Sequence, residues 1–344
     1  RVGGAPSVAS RWWQRLTALV GTDALTAPSA RGNRLIALAR HLDPVTERVV
    51  LRRPAPRVAP EDRLKRLSVS RVETWIRDPF ALFAEQILRL VPLPDLSEDP
   101  DAADRGTLIH EVMAAFAKDG AGLAEPAALA AFLRHAEVAL ANQADRPDVV
   151  ALWRPRFQAI APFAVKTEAA LSDVVERHAE IKGKISLEVG GAPFDLTAVA
   201  DRVDLLADGR VAIVDHKTGK PPSEKQVASG LSPQLALEAA IALRGGFEAL
   251  GPREVARLHY WHLKGGTDGG KVETRGKTAE AAPDVLAAAA FANLLRLVET
   301  DRKVGLYPSR PRVQFESRTD GPYDHLARVI EWAAGETMDG EAGA

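Results

Sequence analysis

Residues 198–219, Ala-Val-Ala-Asp-Arg-Val-Asp-Leu-Leu-Ala-Asp-Gly-Arg-Val-Ala-Ile-Val-Asp-His-Lys-Thr-Gly, leave little choice but two β-strands joined by a tight turn. Apolar residues alternate with other types before Asp208-Gly209, a hairpin signal, and Val211–Val214 continues as a buried strand would. Register follows from the loop length. A two-residue loop would pair Ala207 with Arg210 and leave Asp201 and Asp215 on opposite faces. A three-residue loop, with Gly209 left-handed, pairs Leu206 with Arg210 and sets Asp201 directly opposite Asp215. The odd-length loop is expected. Lys217 shares a face with Asp215 in any register. Two carboxylates and an ammonium are costly to bury without compensation. Two readings are open at this point: Mg²⁺ or Mn²⁺ held between the acids, or a salt-bridge cluster on an exposed strand.

A chain of 344 residues can bury one large core or two small ones. Its hydrophobic fraction of 46% is inflated by alanine, so helices are expected in number. With 45 basic and 46 acidic residues the net charge is -1, and any nucleic-acid contact must come from local patches. The absence of cysteine excludes disulfides, thiolate zinc sites and cysteine-held iron-sulfur clusters. No apolar run reads as a membrane span and no signal peptide is visible, so the cytoplasm is the simplest compartment. The opening at Arg1, with no element start signal, reads as a cut from something longer.

In chain order, helical segments are expected around Trp12–Leu16 and Ala30–His41, followed by a Pro-rich basic run from Arg48 to Arg77 that suits a linker or a phosphate-tracking surface. Ser70 and Glu73 have capping-box spacing, and Asp78-Pro79 restarts a helix whose core face carries Phe80, Phe83 and Ile87. Gly106–Phe116 is an amphipathic helix with Leu108, Ile109, Val112, Met113 and Phe116 inward and His110 at the edge of that face. His110, taken alone, suits a hydrogen-bonded boundary residue as well as a ligand. Ala-rich helix continues to about Val175. Strands then follow over 177–189, 194–206 and 210–216, a helix from Ser232-Pro233 to Gly245 carrying Gln234, a fourth strand over 254–264, and a long helix from about Ala282 to Asp301. A last helical turn or two spans 323–334, and residues 336–344 read as a frayed tail.

The order Gly106-x-x-x-His110, Ala-Asp201-Arg-Val-Asp204, Val-Asp215-His-Lys217-Thr-Gly219 and Gln234-Leu-Ala-Leu237 resembles the motifs of the RecB-like branch of the PD-(D/E)XK nucleases. Ser68–Phe80 and Tyr323–Arg328 resemble the C-terminal nuclease region of the AddB family of helicase-nuclease subunits, over about residues 64–335. The resemblance implies an α/β restriction-endonuclease-like core, with a mixed four-stranded sheet in the order helix, three strands, helix, strand. Residues 1–63 would then be a lead-in from a preceding helicase-like region. It also implies a Mg²⁺-dependent (or Mn²⁺-dependent) deoxyribonuclease that cuts unwound single-stranded DNA in double-strand break repair beside an AddA-type partner. His110, Asp201, Asp215 and the backbone carbonyl of His216 would ligate the metal. Lys217 would orient or deprotonate the attacking water, and Gln234 would position the scissile strand.

Arg202 and Asp204 read as a supporting ion pair, and Glu180 as an accessory acid or a solvated one. Two departures from the family stand out. No cysteine is present to hold an iron-sulfur staple, so the tail must be held by packing, through Phe315, Tyr323, Leu326 and Trp332. A tyrosine expected after the Gln-x-x-Leu motif is Glu238 here. The alternatives are a stand-alone Cas4-like or RecB-like exonuclease, and a catalytically silent domain for DNA guidance or subunit docking.

Overall fold

The computed structural model describes residues 8–42, 52–92, 102–309 and 321–332. The chain forms two compact units, Arg1–Arg52 and Arg53–Ala344. In the first, the two expected helical segments are parts of one stretch, α1 (Arg11–Leu42), broken only where Gly21 takes a φ of 76°. The second unit begins before the expected boundary at residue 63. The reason is backbone pairing: Val58 N–H donates to the Gly305 carbonyl at 2.8 Å, Tyr307 N–H to Pro56 at 3.0 Å and Ser309 N–H to Pro54 at 2.9 Å.

That unit runs β1 (Arg66–Ser68), α2 (Val69–Arg77), α3 (Pro79–Leu82), α4 (Ala102–Asp119), α5 (Glu125–Ala141), α6 (Pro147–Ala169), β2 (Val174–Val189), β3 (Ala192–Leu206), β4 (Val211–Lys217), α7 (Glu224–Ala228), α8 (Gln234–Leu243), β5 (Val255–Leu263), β6 (Gly270–Arg275) and α9 (Pro283–Val304). The α/β class is as expected, but the mixed sheet has six strands rather than four. The additions are β1, too short to show a period, and β6, an outer strand whose side chains are mostly half-buried. Helix α2 starts at Val69, with Ser68 in the N-cap position, so the Ser70–Glu73 box does not form and Glu73 pairs with Arg77 at 2.9 Å instead. Asp78 does cap α3, accepting from Ala81 N–H at 3.1 Å.

Two hairpin turns set the register. Gly190 and Gly191, with φ of 60° and 76°, form the two-residue turn that folds β2 antiparallel along the whole of β3. At the other end of β3, Leu206 N–H donates to the Arg210 carbonyl, and Gly209 has a φ of 84°. This is the odd-length loop. Its pairs run from Leu205–Val211 to Arg202–Val214 and stop one residue short of Asp201 and Asp215, which lie level with each other but, contrary to the single face expected, turn to different sides of the sheet, Asp201 to His110 and Asp215 to Gln234. The edge of β3 away from β2 is shared, with β1 parallel to its start and β4 antiparallel to its end. A crossover through α7 and α8 returns β5 parallel to β4, pairing Asp215 with Tyr260 and His216 with Trp261.

Helices cover both faces, because β4 and the second half of β5 are buried on both sides. Helices α4, α5 and α6 bury Ile109, Phe116, Phe132, Trp153 and Phe157 against Val214 and Trp261. Helices α2, α8 and α9 bury Trp75, Leu235, Ile241 and Leu294 against Phe194, Val203, Ile213 and Leu258. Residues 279–304, containing α9, are long and apolar enough by composition to cross a membrane, where no such run was expected. Here Leu286, Ala287, Leu294 and Val298 of α9 are spent on this second core.

The C-terminal segment is held as expected for a chain without a cluster. Tyr323 and Ala327 pack on Phe80, Ala81 and Ala84, and the Tyr323 hydroxyl donates to the Leu90 carbonyl at 2.6 Å. Trp332 is buried beneath the Arg53 guanidinium, 4.8 Å from its ring centre. Leu326 is exposed and takes no part. Phe315 and the tail 336–344 lie outside the described residues.

Candidate active site

The site forms where β3 and β4 reach the end of their pairing and α4 and α8 approach from opposite faces. Asp215 and Lys217, two residues apart on β4, turn to the α8 side. Lys217 Nζ lies 3.0 Å from Asp215 Oδ1 and 2.9 Å from Oδ2. Gln234, the first residue of α8, closes the group: its Nε2 donates to Asp215 Oδ1 at 2.6 Å, and its Oε1 accepts from Lys217 at 3.2 Å. Asp201 turns toward α4. Its Oδ1 is 3.1 Å from His110 Nδ1, and its Oδ2 accepts the backbone N–H of His216 at 2.7 Å. The structure therefore brings His110, Asp201, Asp215, His216, Lys217 and Gln234 to one place. Asp215 is only 1% exposed, so an exposed salt-bridge cluster is not what the motif makes.

Electrostatics divide the two acids. Burial pushes the Asp215 carboxyl up to about 6; Lys217 pulls against this, and the charge of Asp201 adds to it. Burial would raise Asp201 too, but His110 and His216 outweigh it and hold its carboxyl below the usual range. For Lys217, burial is outweighed by the Asp215 and Asp201 carboxylates, so its ammonium is held above the ordinary lysine value. His110 is likewise raised, burial being overcome by the Asp201 contact. Two neighbouring acids, one of them raised by burial and by the charge of the other, suit a cation. The donor set fits one: His110, Asp201 and His216 each offer an atom within 4.8 Å of the others.

Three features were missed or undervalued in the sequence. Glu238, one turn beyond Gln234 on α8, is buried and accepts from Gln234 Nε2 at 3.3 Å, while its second oxygen has no partner. Burial, then the charges of Asp215 and Asp201, drive its carboxyl well above the ordinary range. Its i,i+4 spacing from Gln234 was the available signal. The His216 imidazole, expected to contribute only a carbonyl, lies beside Asp201, and burial pushes it down to about 3.

The third feature is a buried ion network. Arg202 donates to Asp204 at 2.7 Å and to both oxygens of Glu168 at 2.7 and 3.2 Å, beneath Trp261. Arg177 also pairs with Glu168. Arg202 and Asp204 are thus the supporting pair expected, and Glu168 and Arg177 are their unforeseen partners. Glu180 sits opposite Asp201 with a φ of 52°. It joins Thr107, His110, Glu111 and Lys118 in lining an open groove of about 760 Å³. Its carboxyl is raised by partial burial and by Asp201.

A model of the PD-(D/E)XK nuclease superfamily matches residues 66–311. The chain belongs to the PD-(D/E)XK nuclease superfamily. Among curated proteins it is 28% identical over 208 residues to an uncharacterized protein of Rickettsia typhi, covering 57% of this chain and 24% of that one. An uncharacterized protein of Rickettsia bellii is also 28% identical, over 53% of this chain and 22% of the relative. The chain thus spans about a quarter of the length of these relatives. Among solved structures, the crystal structure of SSO0001 aligns with a TM-score of 0.30 and 13% identity, over 77% of this chain and 81% of that one, too loose a likeness to bear on fold or function.

Proposed function

We propose that this chain carries the nuclease domain of an AddB-type helicase-nuclease subunit, cytoplasmic and paired with an AddA-type partner, which hydrolyses phosphodiester bonds of unwound single-stranded DNA during double-strand break repair. Membership of a metal-dependent nuclease superfamily supplies the chemistry. The observation that carries the reading is the closed Asp215–Lys217–Gln234 group beside Asp201 and His110. The narrower assignment draws support from two segments that resemble AddB and pack on each other, Phe80 with its neighbours against Tyr323 and Ala327.

The residues divide the work. His110, Asp201, Asp215 and the His216 carbonyl would hold a divalent cation, Mg²⁺ in the family pattern. When bound, it supplies Lewis-acid polarisation of the phosphate and a more acidic water. Lys217 is kept charged by Asp215 and oriented by Gln234, so a fixed positive point faces the place where negative charge grows on the phosphate. Gln234 ties the lysine to the acid through one amide, which leaves neither free to swing away. The groove past Thr107 and Glu111 gives a single strand a path to His110.

The test is degradation of end-labelled single-stranded DNA with Mg²⁺ or Mn²⁺ by the chain and by Asp215→Ala. Loss of products in the variant alone supports the reading. Equal products from both, or none from folded wild type with its partner, would refute it.

A further inference from the structure

We infer that the His216 imidazole, and not only its backbone, is a metal ligand, and that the resulting set, with two imidazoles beside the Asp201 and Asp215 carboxylates, selects a transition-metal dication over Mg²⁺. This rests on the proposed cation site. Strand alternation sends the His216 side chain to the α4 face, away from Lys217. There it is 2% exposed, edge-on to Trp261 at 5.7 Å and to the His110 ring at 6.0 Å. Its Nδ1 stands 3.6 Å from Asp201 Oδ2, beyond hydrogen-bond range, and its Nε2 is buried without a partner among the described residues. Nδ1 is the nitrogen turned to Asp201 and so the one placed to bind an ion, and His110, Asp201 and His216 each offer a donor atom within 4.8 Å of the others.

The spacings suit an ion. Two ligands at ~2.1 Å from one metal, at angles near 90–110°, stand about 3.0–3.5 Å apart. His110 Nδ1 to Asp201 Oδ1 is 3.1 Å, and His216 Nδ1 to Asp201 Oδ2 is 3.6 Å, so each oxygen of one carboxylate faces one imidazole. Mg²⁺ favours oxygen donors and retained waters, whereas imidazole nitrogen favours the later first-row dications. A site with two such nitrogens therefore ranks these ions above Mg²⁺.

Mn²⁺ is the probe, because its electron spin registers each nitrogen bound to it. Pulsed electron paramagnetic resonance of the 344-residue chain with one equivalent of Mn²⁺ is expected to show two histidine nitrogens, falling to one in His216→Phe, which keeps an aromatic ring beside Trp261, and in His216→Gln. Calorimetric titration should show Mn²⁺ binding weakened at least ~10-fold in either variant, with Mg²⁺ binding changed about twofold or less. A wild-type spectrum with one histidine nitrogen, which needs no variant to fold, would overturn the inference, as would equal Mn²⁺ affinity in wild type and His216→Phe. Failure of the nuclease reading looks different: two bound nitrogens with no cleavage of DNA under either ion.

Discussion

Replacing Asp215 with Asn should make this protein more stable at neutral pH while abolishing its cleavage of DNA. The side chain is buried beside Asp201 and Glu238, and its carboxyl rises from the ordinary 3.8 to about 6 on folding. Between those values the folded chain binds more protons than the unfolded one, so wild type loses stability as pH climbs through the window and loses no more above it. At ~1.4 kcal/mol per tenfold, the rise corresponds to roughly 3 kcal/mol given up by pH 7–8. Asn mimics the protonated acid, keeps an oxygen for Lys217 and Gln234, and gives nothing up. Thermal or denaturant unfolding of both proteins from pH 4 to pH 8 should show a gap in favour of Asp215→Asn that is small at pH 4 and reaches roughly 3 kcal/mol at pH 8. Saturating divalent cation should narrow it, since an ion at 100 times its Kd stabilises wild type by about 2.7 kcal/mol and has lost a ligand in the variant. A variant that melts below wild type at pH 8, or a gap that does not grow with pH, would refute the account of Asp215.

Other outcomes follow from the same geometry. Lys217→Met should lower cleavage at least ~100-fold, about 3 kcal/mol of barrier, with single-stranded DNA affinity nearly unchanged; a comparable loss of affinity in a binding titration would mean that the ammonium holds substrate rather than serving the reaction. Arg202→Met leaves Glu168 and Asp204 buried without their shared partner, and urea unfolding should report a loss of about 3–5 kcal/mol; a loss below about 1 kcal/mol would show that the network is dispensable. Because Glu238 is buried and accepts from Gln234, Glu238→Gln, which keeps that acceptor, should cleave within about twofold of wild type at pH 7, whereas Glu238→Ala, which frees Gln234, should lose ~10-fold in rate; identical rates in the two variants would remove Glu238 from the positioning of Gln234.

The hairpin was readable because register is an integer problem. Once Gly209 is granted a left-handed turn, parity alone sets the register, and the antiparallel ladder from Leu205 to Arg202 obeys it; what parity does not give is that Asp201 then turns to α4 while Asp215 faces α8. Helix α4 was equally plain from the spacing of its buried Leu108, Ile109, Val112, Met113 and Phe116. Strand β1 was not, since three residues cannot display a period, and its partner on β3 is distant in sequence. Glu168 carried no local mark either: nothing around it on α6 tells that Arg202 will arrive beneath it from a strand. Likewise alternation correctly sends His216 away from Lys217, but only the packing of α4 against that face brings its ring beside Asp201. Local pattern thus identified the elements and their faces, while the groups joined across layers required the fold.

The C-terminal clasp of Tyr323, Trp332 and Arg53 has a practical consequence. A phenol, an indole and a guanidinium neither cycle between oxidation states nor depend on iron supply. This way of closing the domain is therefore indifferent to air, peroxide and chelators, and its grip weakens by degrees as individual contacts are trimmed instead of failing all at once when a cofactor is lost.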